Sequence, residues 1–413
     1  MRKCWKILST AIICLIPVAL ITYFAVPWNS TTLLSLVGSS SLQPLMNELS
    51  NVYKAADFIV QGGGSGFGIK SIATNTTNIG LSSKDPYLTI KNATVDNNGF
   101  TKDDWNNLNI KTFTIAFDNI AVIYKADDKK DILNIDQSNI YDIYSIFAGT
   151  YQCSLSNLIA NYNGVDKNSV FLPYSRTGGS NTSGTASTFL EQFQDFNWDS
   201  EISQHPDYQK TLDILNSGDY QGNVRSTNES NVETWNKVSE ENKDGAITYL
   251  SLSFVIENYD LITKSGYIVA TVNGIDPYQY YLEHNKQLDT SFLKNYKWFS
   301  VYNLMVCLNN MSDAIKDFIG WIYFNQTALN LIDKLALVPV GNNLEYLKSM
   351  LNSKYSSIDK IDESNFLSIF FNPDNSDFNI LFSLNTNSSM NNLPENAAFG
   401  ISNQTVLNSG NNS

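Results

Sequence analysis

The stretch Phe58-Ile-Val-Gln-Gly-Gly-Gly-Ser-Gly-Phe-Gly-Ile-Lys-Ser-Ile-Ala73, continued by Asn78-Ile-Gly-Leu-Ser-Ser83, decides the fold. Phe58 to Gln61 reads as a strand that opens into the glycine loop Gly62 to Gly68. Ile69, Ile72 and Ala73 then fall on one face of a helix. Asn78 to Leu81 reads as a further short strand ending at Ser82-Ser83. Strand, loop, helix, strand is the repeating unit of a parallel α/β sheet.

The same alternation extends in both directions. Leu33 to Val37 predicts a buried strand, Gly38-Ser39-Ser40-Ser41 a loop, and Leu42 to Lys54 a helix carrying Leu42, Leu45, Met46, Leu49 and Tyr53 at helical spacing. Phe113 to Tyr124 holds two apolar runs around Asp118-Asn119 and predicts one long buried strand. Beyond it come a helix at Ile140 to Phe147, a strand at Val170 to Leu172, a Ser/Gly/Thr loop from Arg176 to Thr185 and a helix from Ala186 to Phe196. Ala246 to Leu250 and Tyr302 to Leu308 predict strands, Asp313 to Leu331 a helix, and Leu335 to Val340 the last organised segment. From Leu344 the character changes, and past Phe382 the chain is rich in Asn and Ser, a composition of disorder.

The chain has 413 residues, 43% of them apolar and 12% aromatic, enough for a sizeable core in two lobes with appendages. Its net charge of −13 argues against a nucleic-acid partner, which requires a basic stripe. An anionic ligand would have to be held by local groups against the global field. The two histidines, His205 and His284, lie in polar segments, so neither a zinc site nor a His-based catalytic pair is expected. Of the four cysteines, Cys153 and Cys307 are far apart, have no metal spacing and read as free buried thiols.

Arg2, Lys3 and Lys6 precede an uncharged run from Ile7 to Val26, long enough to cross a bilayer as a helix. The basic flank places that end in the cytoplasm and the body outside. The first reading is a membrane anchor. The alternatives are a cleaved signal segment and lipid attachment at Cys14, which the preceding Ala11-Ile12-Ile13 does not favour.

Three loops share one chemistry: Gly38 to Ser41, Gly62 to Gly68, and Arg176 to Thr185. Each follows a strand, opens a helix and combines glycine with hydroxyls. The first N–H groups of a helix lack intrahelical partners, and the helix dipole favours an anion there. Glycine admits close backbone approach, and hydroxyls add donors. In an open α/β sheet such loops gather at the carboxyl ends of the strands. Arg176 is the one cation within them and is suited to a two-pronged grip on an oxyanion. The glycine loop is not a nucleotide motif, since it lacks both the G-x-G-x-x-G spacing and the Gly-Lys of a Walker loop.

These residues resemble a known family. Gly38-Ser-Ser-Ser-Leu-Gln-Pro-Leu45, Gln61 to Lys70 and Ile79-Gly-Leu-Ser-Ser83 resemble the first three blocks of the phosphate-binding proteins of phosphate ABC importers. Ile115 to Ile123 is similar to their first inter-lobe strand, Ser175-Arg176 with Ser183-Gly-Thr185 to their Arg…Ser-Gly-Thr loop, and Asp244 to Ser251 to their Gly-Ala-Ile-Gly-Tyr strand. Val338-Pro-Val340 resembles their usual ending. The blocks run in family order from about residue 33 to 341. The resemblance implies an α/β, two-lobed type II periplasmic-binding-protein fold with two inter-lobe crossing strands near Phe113 to Ile120 and Tyr302 to Leu308. On this reading 1–30 is the anchor or signal segment, 31–114 the first part of lobe 1, 115–300 lobe 2, 301–343 the return to lobe 1, and 344–413 an extension.

The resemblance also implies that Ser40, Ser41, Ser65, Arg176, Ser183, Gly184 and Thr185 contact inorganic phosphate, with Ser83 nearby. Two departures stand out. Several family members carry an aspartate near the third block, where this chain has Ser83, so the choice between phosphate and another tetrahedral oxyanion stays open. The Ser-Gly-Thr triplet also comes late after Arg176, which leaves Ser180 and Thr182 as alternative ligands. The expected protein is a monomeric, extracytoplasmic substrate-binding protein at the outer face of the cytoplasmic membrane. It needs no cofactor, and its partners are ABC permease subunits with their ATPase. An enzyme would require a nucleophile with a base, or metal ligands. No His or Cys lies near the loops, and Asp57, Asp85 and Glu191 are scattered. An anion sensor or surface interaction protein on the same fold is the second reading, supported by the extension.

Overall fold

The computed structural model describes residues 31–341, apart from 92, 128–131, 165, 167 and 196–204. The segment Ile7 to Val26, Cys14 and the extension from 344 lie outside the described residues. Among those described, no helix is long and apolar enough to cross a membrane, and no cluster of His, Cys, Asp or Glu could hold a metal ion. Cys153 and Cys307 are free and buried.

Apolar residues alternating along Leu34 and Leu36 make β1 (Thr32–Gly38), which lies parallel between β2 (Ala56–Gly62) and β3 (Ile79–Ser82). The helices α1 (Gln43–Val52) and α2 (Ser65–Ala73) are the crossovers, burying Leu45, Met46 and Leu49, and Ile69 and Ile72, respectively. Glycine is required where these elements meet. A Cβ on Gly38 (φ +143°) would stand 2.2 Å from Leu81 O and 2.8 Å from Gly68 Cα.

One strand, β4 (Ile110–Lys125), runs through both halves of the molecule and is buried along all but its last residue. It is longer at both ends than the apolar run suggests, because ladder pairing carries it outward. Up to Asn119 it pairs with β11 (Phe299–Cys307), which also pairs with β3. From Ile120 it pairs with β8 (Ala246–Ser251) and β9 (Tyr267–Val269). The second-lobe sheet continues from β8 to β6 (Leu172–Arg176) and β7 (Arg225–Thr227), both parallel to it. A two-strand ribbon of β5 (Asn134–Ile135) and β10 (Thr271–Val272) flanks it, and β12 (Val338–Pro339) pairs with Ala116 and Phe117 of β4. The result is a mixed α/β protein of two lobes, with first-lobe strand order β2-β1-β3-β11-β4.

The sequence reading differs from this at several places. β11 belongs to the first-lobe sheet over its whole length, and the chain returns between lobes just before it, where Ile120 N donates to Trp298 O at 2.8 Å. The strand expected at Val170 to Leu172 begins at Leu172 and runs to Arg176, because β8 and β7 offer ladder partners to a Tyr-Ser-Arg segment that looks too polar to be buried. The expected loop after Arg176 contains a helical turn, α4 (Gly179–Thr182), before α5 (Gly184–Asp195). The helix read across Asp313 to Leu331 is two, α9 (Asp313–Phe324) and α10 (Gln326–Lys334). Asn325 adopts extended backbone between them, and its side chain accepts from Thr327 N.

The second-lobe core is aromatic. Phe189 of α5 stacks on Tyr249 at 4.2 Å and on Trp298 at 5.1 Å between centroids. Trp298 Nε1 and the Tyr144 hydroxyl both donate to Phe189 O. Burying one such ring contributes about 1.5–3 kcal/mol, so α5 is rigidly seated with its N-terminus toward the first lobe.

Candidate functional site

The carboxyl ends of β1, β2 and β3 bring their three following loops together. Ser39 Oγ donates to Ser83 Oγ at 2.9 Å, Ser65 Oγ and Ser83 Oγ share a bond of 3.1 Å, and Ser83 N donates to Ser65 Oγ at 2.9 Å. Ser65 opens α2 behind Gly64, whose φ of 88° turns the chain into the helix. Ser65, Ser83 and Ser39 are all buried.

The second lobe closes on this cluster with the N-terminus of α5. Ser41 Oγ and Thr185 Oγ1 bond at 3.0 Å, and Thr188 Oγ1 reaches Ser83 O at 3.1 Å and Ser300 Oγ at 3.2 Å. Gly184 is pressed against the serines. A Cβ there would stand 2.0 Å from Ser83 Oγ and 2.3 Å from Ser65 Oγ. The approach of the lobes at this point therefore depends on the missing side chain. Lys84 adds a further tie, donating from Nζ to Ser180 O and Asn181 O at 3.2 Å each.

Of the sequence-predicted residues, the structure brings Ser41, Ser65, Ser83, Gly184 and Thr185 into one place. Ser183 borders it, with its hydroxyl accepting from Ala186 N at 3.1 Å. Ser40 lies at the edge, where Ser40 and Ser41 line an inter-lobe cavity of about 670 Å³ together with Ser230, Asn231 and Tyr302. The alternatives lie elsewhere: Ser180 Oγ donates to Asn216 Oδ1, and Thr182 is exposed. The extra turn α4 takes up the residues that separate Arg176 from Ser183-Gly184-Thr185.

Arg176 is 1% exposed, and its guanidinium is bound within its own lobe. Nη1 donates to Asn228 O at 2.8 Å, Ser230 O at 2.9 Å and Thr234 Oγ1, and Nη2 donates to Asn231 Oδ1 at 2.7 Å. Its Nε is buried without a hydrogen-bond partner. The expected two-pronged grip on an anion is not the arrangement seen, since both Nη atoms hold the segment that starts α7 (Asn231–Glu241). Burial lowers the Arg176 pKa, while Tyr249, Glu229 and Tyr220 favour its charge. Burial likewise pushes Tyr249 up to about 12.

Two features escaped the sequence reading. Asp118 sits where β4 passes from one lobe to the other and accepts from Tyr302 OH (2.6 Å), Ser253 Oγ (2.9 Å), Ser253 N (3.1 Å) and the Ser251 hydroxyl. Tyr302 OH also reaches Ser41 O at 3.0 Å, linking this crossing to the serine cluster. Burial raises the Asp118 pKa, and the Ser251 and Tyr302 hydroxyls with the Asn119 and Ser253 N–H groups pull it back. The position between two apolar runs was a usable signal. The second feature, Glu229, gave none, because it lies in a polar stretch between elements.

This chain matches the family model described as "PBP superfamily domain" over residues 25–326. The chain belongs to the PBP superfamily. A relative of this chain is an uncharacterized lipoprotein of Mycoplasma genitalium, 34% identical over 353 residues that cover 79% of this chain and 87% of the relative. Among solved structures, a putative phosphate ABC transporter substrate-binding protein from Clostridium perfringens with bound phosphate aligns at a TM-score of 0.50 and 19% identity. The match covers 75% of this chain and 100% of that one. A high-affinity periplasmic phosphate-binding protein, PfluDING, bound with phosphate aligns at 0.52 and 13% identity, covering 83% and 95%. These alignments establish a shared PBP fold.

Proposed function

We propose that this PBP-superfamily protein captures a tetrahedral oxyanion between its lobes, with inorganic phosphate as the first choice, and delivers it to an ABC importer. The observation that carries the reading is the convergence of hydroxyls from three strand-end loops on the N-terminus of α5, with Gly184 as the close-approach point. Ser40, Ser41, Ser65 and Ser83 hold the ion from the first lobe, and Ser183, Gly184 and Thr185 hold it from the second. Arg176 supplies positive charge and its unpartnered Nε. Each buried oxygen needs a donor, so matching donors to oxygens gives selectivity. The bound phosphate of the two aligned relatives supports the choice of ligand. Rotation of the lobes about the Asn119–Ile120 and Trp298–Phe299 crossings closes the cleft.

On this reading the protein is a monomer that works outside the cytoplasm and docks on permease subunits. The lipoprotein relative favours lipid attachment at Cys14 over a helical anchor. Phase partitioning of wild type and Cys14→Ala decides between them, since only a lipid anchor is lost with the thiol.

Calorimetric titration with phosphate, sulfate and arsenate tests the ligand. Saturable one-to-one binding of phosphate that disappears in Ser65→Ala/Ser83→Ala supports the proposal. Phosphate binding that survives the double substitution removes the site from it.

A further inference from the structure

One tie between the lobes is made by a cation and ends outside the serine cluster. Lys84 follows β3 and is buried. Its backbone is fixed to the first lobe. Lys84 O accepts from Ser82 Oγ at 2.8 Å and from Asn303 Nδ2 at 3.2 Å, and Asn303 Oδ1 in turn accepts from Thr114 Oγ1 at 2.7 Å. Asn303 lies on β11 and Thr114 on β4, so both strands hold the base of the side chain. From there Nζ crosses the cleft to Ser180 O and Asn181 O, 3.2 Å each.

Those two oxygens belong to α4, at the end where a helical turn leaves its carbonyls without intrahelical partners. Gly179 O is taken by Ser183 N at 2.9 Å, and the turn stops at Ser183, whose backbone is extended. The carbonyl end of a helical turn favours a cation. The turn is seated on its own lobe: Ser180 Oγ donates to Asn216 Oδ1 of α6 (Tyr208–Ser217), and a Cβ on Gly179 would stand 2.3 Å from Leu215 O. Opposite it the first lobe presents glycines. A Cβ on Gly64 or Gly66 would lie 3.4 or 3.7 Å from Thr182 O. Glu229 of the second lobe also approaches Gly64, with Cγ and Oε2 3.5 Å from the same Cβ position, and feels the Lys84 charge.

Lys84 thus joins two rigid bodies, and its partners meet only when the cleft is shut. With the lobes apart, ammonium and carbonyls return to water. Resting on the oxyanion-capture reading above, we propose that Lys84 and the carbonyl end of α4 form a latch, which holds the closed cleft and sets how long the anion stays without touching the anion. Lys84 is then a positioning residue. The extra turn that sets Ser183-Gly184-Thr185 late after Arg176 is the catch on which it closes.

The test reads phosphate association and release by stopped-flow tryptophan fluorescence on the whole protein, in wild type, Lys84→Met and Lys84→Arg. Met keeps the apolar stem and loses the donors, whereas Arg keeps charge and donors. Losing hydrogen bonds from a charged group should speed release about tenfold or more. Association should stay within about twofold of wild type. A charge that merely attracted the ligand would instead slow association and make it depend on salt. Lys84→Arg is expected to release close to the wild-type rate. Phosphate and arsenate affinities, measured by calorimetry, should fall by the same factor in Lys84→Met, because the latch meets neither ion. Unfolding midpoints without ligand confirm that the variants are folded, and Lys84→Gln takes the place of Lys84→Met should the apolar variant not fold. Unchanged release, a loss carried by association, or unequal losses for the two ions overturns the latch while leaving oxyanion capture intact. A folded wild type that binds neither ion overturns both.

Discussion

Gly184→Ala isolates lobe approach from lobe stability. Gly184 begins α5 and is absent from the positive-φ glycines, so alanine meets no backbone penalty there. Helix propensity alone would favour it by up to about 1 kcal/mol. The added Cβ, however, would lie 2.0 Å from Ser83 Oγ and 2.3 Å from Ser65 Oγ. Those hydroxyls belong to the other lobe, so restoring contact distance requires either turning the two serines out of their mutual hydrogen bonds or parting the lobes. Forcing closure against such overpacking costs about 1–3 kcal/mol. That corresponds to a loss of ligand affinity of about 5- to 150-fold. Calorimetric titration with phosphate reads the loss, and thermal unfolding without ligand should show unchanged or slightly raised stability. Gly66→Ala is the control, because its Cβ meets nothing closer than Thr182 O at 3.7 Å. A Gly184→Ala protein that binds phosphate as tightly as wild type would refute the closure geometry.

Asp118→Ala leaves the Tyr302, Ser251 and Ser253 donors facing an empty site, and each unsatisfied buried group costs about 1–3 kcal/mol, so denaturant unfolding should show a large loss. Because burial holds the Asp118 pKa above 3.8, the native state binds more protons than the unfolded chain as pH rises from 3.8 to the folded value. Stability contributed by this group therefore falls through that window, and the pH slope of unfolding free energy should flatten there in Asp118→Asn. Tyr302→Phe cuts the tie between Asp118 and Ser41 O; a stability loss of about 1 kcal/mol per hydrogen bond is expected by thermal unfolding. Asn119 has a buried side chain whose oxygen and nitrogen both lack partners, so Asn119→Leu should be neutral or stabilising by the same measurement, and a loss above about 2 kcal/mol would show a hidden partner.

The alternation of apolar runs with Gly/Ser loops made the first lobe legible, because β1, β2 and β3 are short, parallel and fully punctuated. The serines after those strands were legible for the same reason: a strand-end loop has only one place to go. β6 was harder. Its Tyr-Ser-Arg end carries no apolar signal, and only pairing to β7 and β8 makes it a strand. The role of Arg176 could not be read from its type, since a cation after a strand suits an anion grip and a structural clamp equally. The structure adds the clamp, through Asn228, Ser230, Asn231 and Thr234. In the sequence Gly184 is a phosphate contact implied by resemblance, whereas its close fit against Ser65 and Ser83 depends on the opposite lobe and leaves no local pattern. Glu229 and Lys84 act across the cleft, and such contacts leave no local pattern.

A crystal structure of the protein grown with phosphate tests the central claim most directly. Phosphate density enclosed between the lobes, with oxygens bonded to Ser41, Ser65, Ser83, Ser183 and Thr185, is the expected result. Phosphate bound elsewhere, or a cleft that closes at saturating phosphate without admitting it, would contradict the account.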